Sequence, residues 1–267
     1  MWSQEHRPRC AQPQLSVSDV SLCIPVYNSS PFLDPLFACL TRLDPAPAEL
    51  LFLDDASTDD SLYRVMDFAA SAPPGAAVRL LTSDYNTGIA AAYNRLAREA
   101  SKSWVQLLDA DDLLVEHDFY RHLESALENS CDVVVLAVAS NMGLLDWGSR
   151  ALGWLVPRHP PMWWPLLGTF ATRSGVLYRR KLLLDHPFPD PAYPGSDVIH
   201  LLDLRNTTGC MFLRRPQVFY RVHDAAQSSR NRDYSMYRAN LAHFGLAVRV
   251  AHRVDVRLRR LLHRWAR

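Results

Sequence analysis

The chain has 267 residues, 48% of them hydrophobic, and a formal net charge of +1. That is enough apolar material for one large α/β domain or a domain with an appended subdomain, and the near-neutral charge gives no global basic field for nucleic acid. Five scattered cysteines (Cys10, Cys23, Cys39, Cys131, Cys210), none in a Cys-x-x-Cys pair, signal neither a zinc site nor a disulfide framework; a reducing compartment is expected.

Residues 1–19 are polar and carry no recognisable signal peptide. Apolar, β-branched runs then recur at Val20–Val26, Leu50–Leu53, Val78–Thr82, Trp104–Leu108 and Val133–Ala139. Continuous runs of this length suit strands buried on both faces, and none is long enough to span a bilayer. Helical patterns fall between them: Phe32–Leu43, Ser57–Ser71 with a capping-box-like Ser57-x-x-Asp60 start, the Ala-rich Gly88–Ala100, and His117–Asn129. This alternation predicts right-handed βαβ units and a mainly parallel sheet flanked by helices. After Ser140 the pattern changes. Residues 141–170 carry Trp147, Trp154, Trp163 and Trp164 among several prolines and read as a long loop. Short elements follow: one at Gly175–Arg180, a helix near Asp197–Leu204, and strands near Gly209–Leu213 and Val218–Arg221. The division expected is 18–140, 141–233 and a helical C-terminal segment 234–267.

The strand ends carry the chemistry. The first strand stops at Pro25, which cannot donate to a central ladder, and delivers Tyr27 and Asn28. The second delivers Asp54, Asp55 and Asp59, which by themselves read equally as a turn and cap. The loop after the third reads Asn86-Thr87-Gly88, with Asn94 on the following helix. The fourth runs into Asp109-Ala110-Asp111-Asp112. Carboxylates this close raise one another's pKa, and a hard divalent cation relieves the conflict; a solvated acidic turn is the other reading. An EF-hand fits poorly, since the twelfth position from Asp109 is Tyr120. Ligands of open α/β sheets bind at the carboxyl ends of the strands, where these groups converge.

The ordered set Pro25–Asn28, Leu53–Asp59, Asn86/Gly88/Asn94 and Leu108–Asp111 resembles the inverting family-two glycosyltransferases, over roughly residues 18–225. The resemblance implies a GT-A, Rossmann-like fold with a C-terminal acceptor-side region. It implies that Pro25 and Tyr27 line the base pocket of a nucleotide-diphosphate sugar, most simply a UDP-sugar, and that Asp55 accepts from the base imide. Asn28, Asn86, Gly88 and Asn94 fall on the donor side. Asp109 is expected by the ribose or sugar, and Asp111 on a Mn²⁺ or Mg²⁺ ion. Late in the chain, Tyr220-Arg221-Val222-His223 is similar to the family's Tyr-Arg-x-His segment, which implies Arg221 facing the diphosphate and His223 as a further metal ligand. A structural histidine after a strand is the plainer alternative. Asp197, in Gly195-Ser196-Asp197, matches the family's base position, although Ser196 stands where a glutamate is usual. A helix-start acid favoured by the dipole is its other reading, and Asp203 is the runner-up for the base.

The Gln-x-x-Arg-Trp motif of processive synthases is missing, so transfer of a single sugar to a glycan or lipid-linked acceptor is expected. A sugar-1-phosphate nucleotidyltransferase would need a Gly-rich basic loop where this chain has Pro-Val-Tyr-Asn-Ser-Ser. A non-catalytic sugar-nucleotide-binding or scaffold subunit is the alternative from another class. Residues 249–267 carry seven arginines against Asp255, with Val250, Val254, Leu258, Leu261 and Trp265 at helical spacing. Such a basic amphipathic helix packs on protein, on a second subunit, or lies on anionic lipid. The expected location is cytoplasmic, with peripheral contact to the membrane's inner face.

Overall fold

The computed structural model describes residues 16–71, 75, 77–126, 131–140, 173–190, 192, 196–204, 209–221 and 223. The Trp-rich segment 141–170 and the C-terminal segment 234–267 lie outside the described residues, as does Cys10. Among the described residues no helix is long and apolar enough to cross a membrane.

The first half alternates as the periodicity predicts: β1 (Val20–Val26), α1 (Ser30–Thr41), β2 (Glu49–Asp54), α2 (Ser61–Ala70), β3 (Ala77–Thr82), α3 (Ile89–Glu99) and β4 (Trp104–Leu107). The chain continues through β5 (Leu113–Leu114), α4 (Phe119–Ala126), β6 (Val133–Ser140), β7 (Val176–Arg179), α5 (Arg180–Asp185), α6 (Ser196–Asp203) and β8 (Cys210–Tyr220). These strands form one sheet in the order β3-β2-β1-β4-β7-β6-β8-β5. β1 to β4 pair in parallel. β7 enters antiparallel between β4 and β6, and β6 and β8 pair in parallel. β8 therefore runs in the direction of β4, and its carboxyl end reaches the same edge.

The pleat of β1 divides the core. Val20, Leu22, Ile24 and Val26 join the cluster containing Leu33, Leu36 and Leu40 of α1, Val65 of α2 and Phe119 of α4. Cys23 faces the other way, into the cluster of Ala92, Tyr93, Leu96 and Ala97 of α3 with Leu201 of α6. The alanines let α3 approach the sheet closely, as its composition predicts. Cys23, Cys39, Cys131 and Cys210 are all buried free thiols.

Three expectations need correction. Pro25 does not end β1, which continues to Val26 in register with Asp54. The Cys23 carbonyl accepts from Leu108 N–H on the β4 side, so Pro25, two residues on, faces the same side just beyond the β4 ladder, where no N–H is required. Ser57 does not cap the second helix, which begins a turn later at Ser61. Asp59 serves both helix starts instead, accepting from Ser61 N–H at 3.0 Å and Ser30 N–H at 3.2 Å. Finally, the two strands expected near 209–213 and 218–221 are one, β8, with register shifts against β6 that pass Pro216 opposite Ala137.

Candidate active site

The carboxyl ends of six strands meet at one edge of the sheet, because β1, β2, β3, β4, β6 and β8 all run toward it. β7 begins at that edge, which brings Ser174 there.

At the end of β1 the Tyr27 ring is 46% exposed and available for stacking. Asn28 follows with a positive φ of 49°, a conformation asparagine tolerates. Its side-chain carbonyl accepts from Thr58 N–H at 2.7 Å and Asp59 N–H at 3.3 Å, while its own N–H donates to Ser57 Oγ at 3.0 Å. Asn28 therefore ties the β1 and β2 loops together. Asp55, buried, receives Thr87 N–H and Gly88 N–H at 2.9 Å each and the Thr87 hydroxyl at 2.8 Å. Those bonds hold the loop that opens α3, where Gly88 has a φ of +87° that favours glycine. Asn86 accepts from Gly88 N–H at 2.9 Å and completes the turn.

The acidic turn after β4 is closed by Asp112 N–H donating to Asp109 O at 3.0 Å. Asp109 N–H donates to Ser174 Oγ at 2.9 Å, and the Tyr93 hydroxyl donates to Asp109 Oδ1. His223 Nε2 lies 2.9 Å from Asp111 Oδ2. Arg221 reaches under the turn: its backbone N–H donates to Asp112 Oδ1 at 3.1 Å, its Nε to Asp111 O, and its Nη2 to Ala110 O and Phe32 O at 3.3 Å each. The Phe32 ring supports both late residues, with centroids 4.4 Å from the His223 ring and 5.2 Å from the Arg221 guanidinium. These bonds give Arg221 the task of holding the turn's backbone.

Asp112, which the resemblance gives no role of its own, is the deepest of the three acids. It is fully buried, and Oδ2 has no hydrogen-bond partner. Burial, then the charges of Asp109 and Asp111, push its carboxyl well above the usual range. Each of Asp109, Asp111 and Asp112 offers an oxygen within 4.8 Å of the others. A divalent ion fits this donor set: hard oxygens, an orphaned buried one among them, and a His–Asp pair at 2.9 Å, about the spacing of adjacent ligands in an octahedron with bonds near 2.1 Å. A second group, Glu116, Asp118 and His122, has the same spacing but no local sequence motif.

Asn94 is drawn away from the donor groups. Its Nδ2 donates to Phe188 O at 3.0 Å and its Oδ1 accepts from Phe188 N–H at 2.9 Å. Asp197 stands in the first turn of α6, half-buried, three residues before the buried His200, while Asp203 is exposed at that helix's other end. Tyr93, Ser174 and Phe32 escaped the sequence reading. Only Tyr93, next to Asn94, had a signal within reach.

The family model described as Glycosyl transferase family 2 matches residues 21–186, more than half of the chain. The chain belongs to glycosyl transferase family 2. The match takes in the ends of β1, β2, β3 and β4 and stops short of α6 and β8. This family 2 chain is 29% identical over 111 residues to the UDP-Glc:alpha-D-GlcNAc-diphosphoundecaprenol beta-1,3-glucosyltransferase WfgD of Escherichia coli, covering 42% of each. It is 23% identical over 118 residues to the processive diacylglycerol beta-glycosyltransferase of Mycoplasma pneumoniae, covering 44% of this chain and 34% of that one. The chain thus spans less than half the length of these curated relatives. Its fold is the mixed α/β GT-A architecture. S. aureus TarS in complex with UDP-GlcNAc superposes with a TM-score of 0.65 at 17% identity, over 84% of this chain and 66% of that one. The mannosyltransferase PcManGT of Pyrobaculum calidifontis, in complex with GDP-Man and Mn²⁺, does so with 0.58 at 18% identity, over 88% and 64%.

Proposed function

We propose that this family 2 chain is a metal-dependent inverting glycosyltransferase that moves one sugar from a nucleotide-diphosphate sugar, a UDP-sugar, to a hydroxyl of a glycan or lipid-linked acceptor. The observation that carries the reading is the assembled acidic turn, with Asp109, Asp111 and the buried Asp112 meeting His223 at the carboxyl edge. The exposed Tyr27 beside that edge suits a stacked base, Pro25 is assigned to the same base pocket, and Asp55 fixes the loop that opens α3. The names of the Escherichia coli and Mycoplasma relatives support a lipid-linked acceptor.

Asp111 and His223 would hold a Mn²⁺ or Mg²⁺ ion, with Asp109 toward the ribose or sugar. When bound, the ion neutralises the charge that develops on the diphosphate leaving group. The chain's own groups do the rest. Asp197 accepts the acceptor hydroxyl's proton as that oxygen attacks the anomeric carbon; the bond to the diphosphate breaks on the opposite face, and the configuration inverts. Arg221 and Ser174 keep the acidic turn in place, so that the donor side is pre-positioned.

UDP release from UDP-glucose and UDP-N-acetylglucosamine, with and without Mn²⁺, tests this. Wild type should turn over only with metal, Asp111→Asn should lose at least about a hundredfold in rate, and Asp197→Asn should retain UDP affinity while losing turnover. Tight UDP binding without turnover across varied acceptors would favour a non-catalytic nucleotide-sugar-binding subunit.

A further inference from the structure

Adjacent residues of α3 reach in two directions. Tyr93 points to the donor side, its hydroxyl donating to Asp109. Asn94 points to the other, and its side-chain amide pairs with both backbone groups of Phe188 as a strand neighbour would, at 3.0 and 2.9 Å. Phe188, held this way, presents its ring to His200, stacked with centroids 4.1 Å apart at 29°. Tyr93 and Tyr178 close the remaining sides of the Phe188 ring at 5.8 and 6.1 Å. His200 is fastened a second time, Nε2 lying 2.8 Å from His186 O. The carbonyl only accepts, so this nitrogen carries the proton. His200 lies three residues after Asp197 on α6, which puts the two on one face of the helix. A series of contacts therefore runs from Asp109 to Tyr93, from Tyr93 to the Phe188 ring directly and through its chain neighbour Asn94 to the Phe188 backbone, and from Phe188 through His200 to the helix that carries Asp197.

We propose that Asn94 is a positioning residue for α6, not a donor ligand: through Phe188 and His200 it fixes where Asp197 stands relative to the acidic turn. The inference rests on the reading of Asp197 as the base. Both arms originate on one rigid helix, so donor turn and base are measured from the same element. A small displacement of α6 would leave the donor pocket whole and misplace the proton acceptor, and errors of about 1 Å at that distance slow a reaction by up to a hundredfold.

The test uses the full chain with Asn94→Ala, Phe188→Leu and Asp197→Asn. Phe188→Leu keeps the backbone groups that Asn94 binds but removes the ring stacked on His200, so it cuts the series at a second link and serves if Asn94→Ala does not fold. UDP affinity in Mn²⁺ is measured by calorimetry, and turnover as UDP release from UDP-glucose and UDP-N-acetylglucosamine. For both Asn94→Ala and Phe188→Leu, UDP affinity should stay within about twofold of wild type while kcat falls about tenfold or more. Weakened UDP affinity at unchanged kcat would make Asn94 a donor ligand and overturn the proposal. Unchanged affinity and unchanged kcat in a folded variant would overturn it too, leaving Asn94 a pin for stability alone. If Asp197→Asn turns over like wild type, the base reading falls and this inference with it. If Asp197→Asn is inactive and the other two variants are not, only this inference falls.

Discussion

His200 is an imidazole kept neutral by its surroundings. Burial pulls it down to about 4, and the His186 carbonyl and the charge of Asp197 restore only part of that. The folded state thus refuses a proton that the unfolded chain accepts below its ordinary value near 6.5. This contribution is fully present above about pH 6.5, and stability falls with pH until about pH 4, by about 3 kcal/mol in all. Urea denaturation at a series of pH values should show that acid slope in wild type and a shallower one in His200→Phe, which keeps a ring against Phe188. Equal slopes would mean His200 is not the group responsible. Asp112 has the opposite character: its buried carboxyl prefers the proton until a cation compensates. Mn²⁺ should therefore raise the melting temperature of the wild type, with an increment that grows with concentration as mass action requires, and Asp111→Asn should lose most of it. Differential scanning fluorimetry with Mn²⁺, against Ca²⁺ as a control of looser geometry, reads this directly.

At the scale of elements, the exit of β8 completes the acidic turn that β4 begins. Arg221 binds carbonyls of Ala110, Asp111 and Phe32 with a planar fork, and its half-buried guanidinium has its pKa lowered by desolvation. A lysine keeps the charge and loses the fork. Arg221→Lys should therefore impair Mn²⁺-dependent UDP binding about as severely as Arg221→Met, roughly tenfold. A lysine variant binding like wild type would return Arg221 to the role of a charge facing the diphosphate. The same elements show what a linear reading can recover. β1 to β4 were legible because each is a local apolar run, and the polar groups at their ends followed from direction alone. Asp111 and His223 were singled out separately, and the structure brings them to 2.9 Å. What stayed hidden depends on partners far away in sequence. The insertion of β7 between β4 and β6, the pairing of two-residue β5 with β8, and the Asn94–Phe188 bond across 94 positions leave no local period. Asn94 was therefore assigned to the donor by its place in a motif, and the structure engages its amide elsewhere. The start of α2 differs for another reason: Ser57 Oγ is engaged by Asn28 N–H, while Ser61 N–H and Ser30 N–H go to Asp59.

At the scale of the whole molecule, the two ends of the parallel strands are specialised. The edge opposite the acidic turn is closed by Glu49 at the start of β2. Its buried carboxylate accepts from the Ser21 hydroxyl, from Ser101 N–H at 2.8 Å and from Arg79 Nη1 at 2.7 Å. Burial pushes its pKa up, but these bonds outweigh burial and hold it below its ordinary value. Glu49→Ala should cost about 2 kcal/mol, below the range for fully buried pairs because Arg79 is itself 41% exposed. UDP affinity should be unchanged, since the perturbation lies at the far end of the strands; urea denaturation and calorimetry separate the two effects. A loss of affinity would mean that the ends communicate along β2.

The long reach of Arg221 and His223 also sets a timetable. Both bind Asp111, 110 and 112 positions earlier in the chain. During synthesis the four parallel strands emerge first and have each other to pair with, while the acidic turn waits, its carboxylates mutually repelling, for the strand that will steady it. A nascent chain stopped after β6 would hold the four paired strands β3-β2-β1-β4 and the polar groups at their ends, yet lack Arg221 and His223. The proposed metal site would then be complete only when β8 docks.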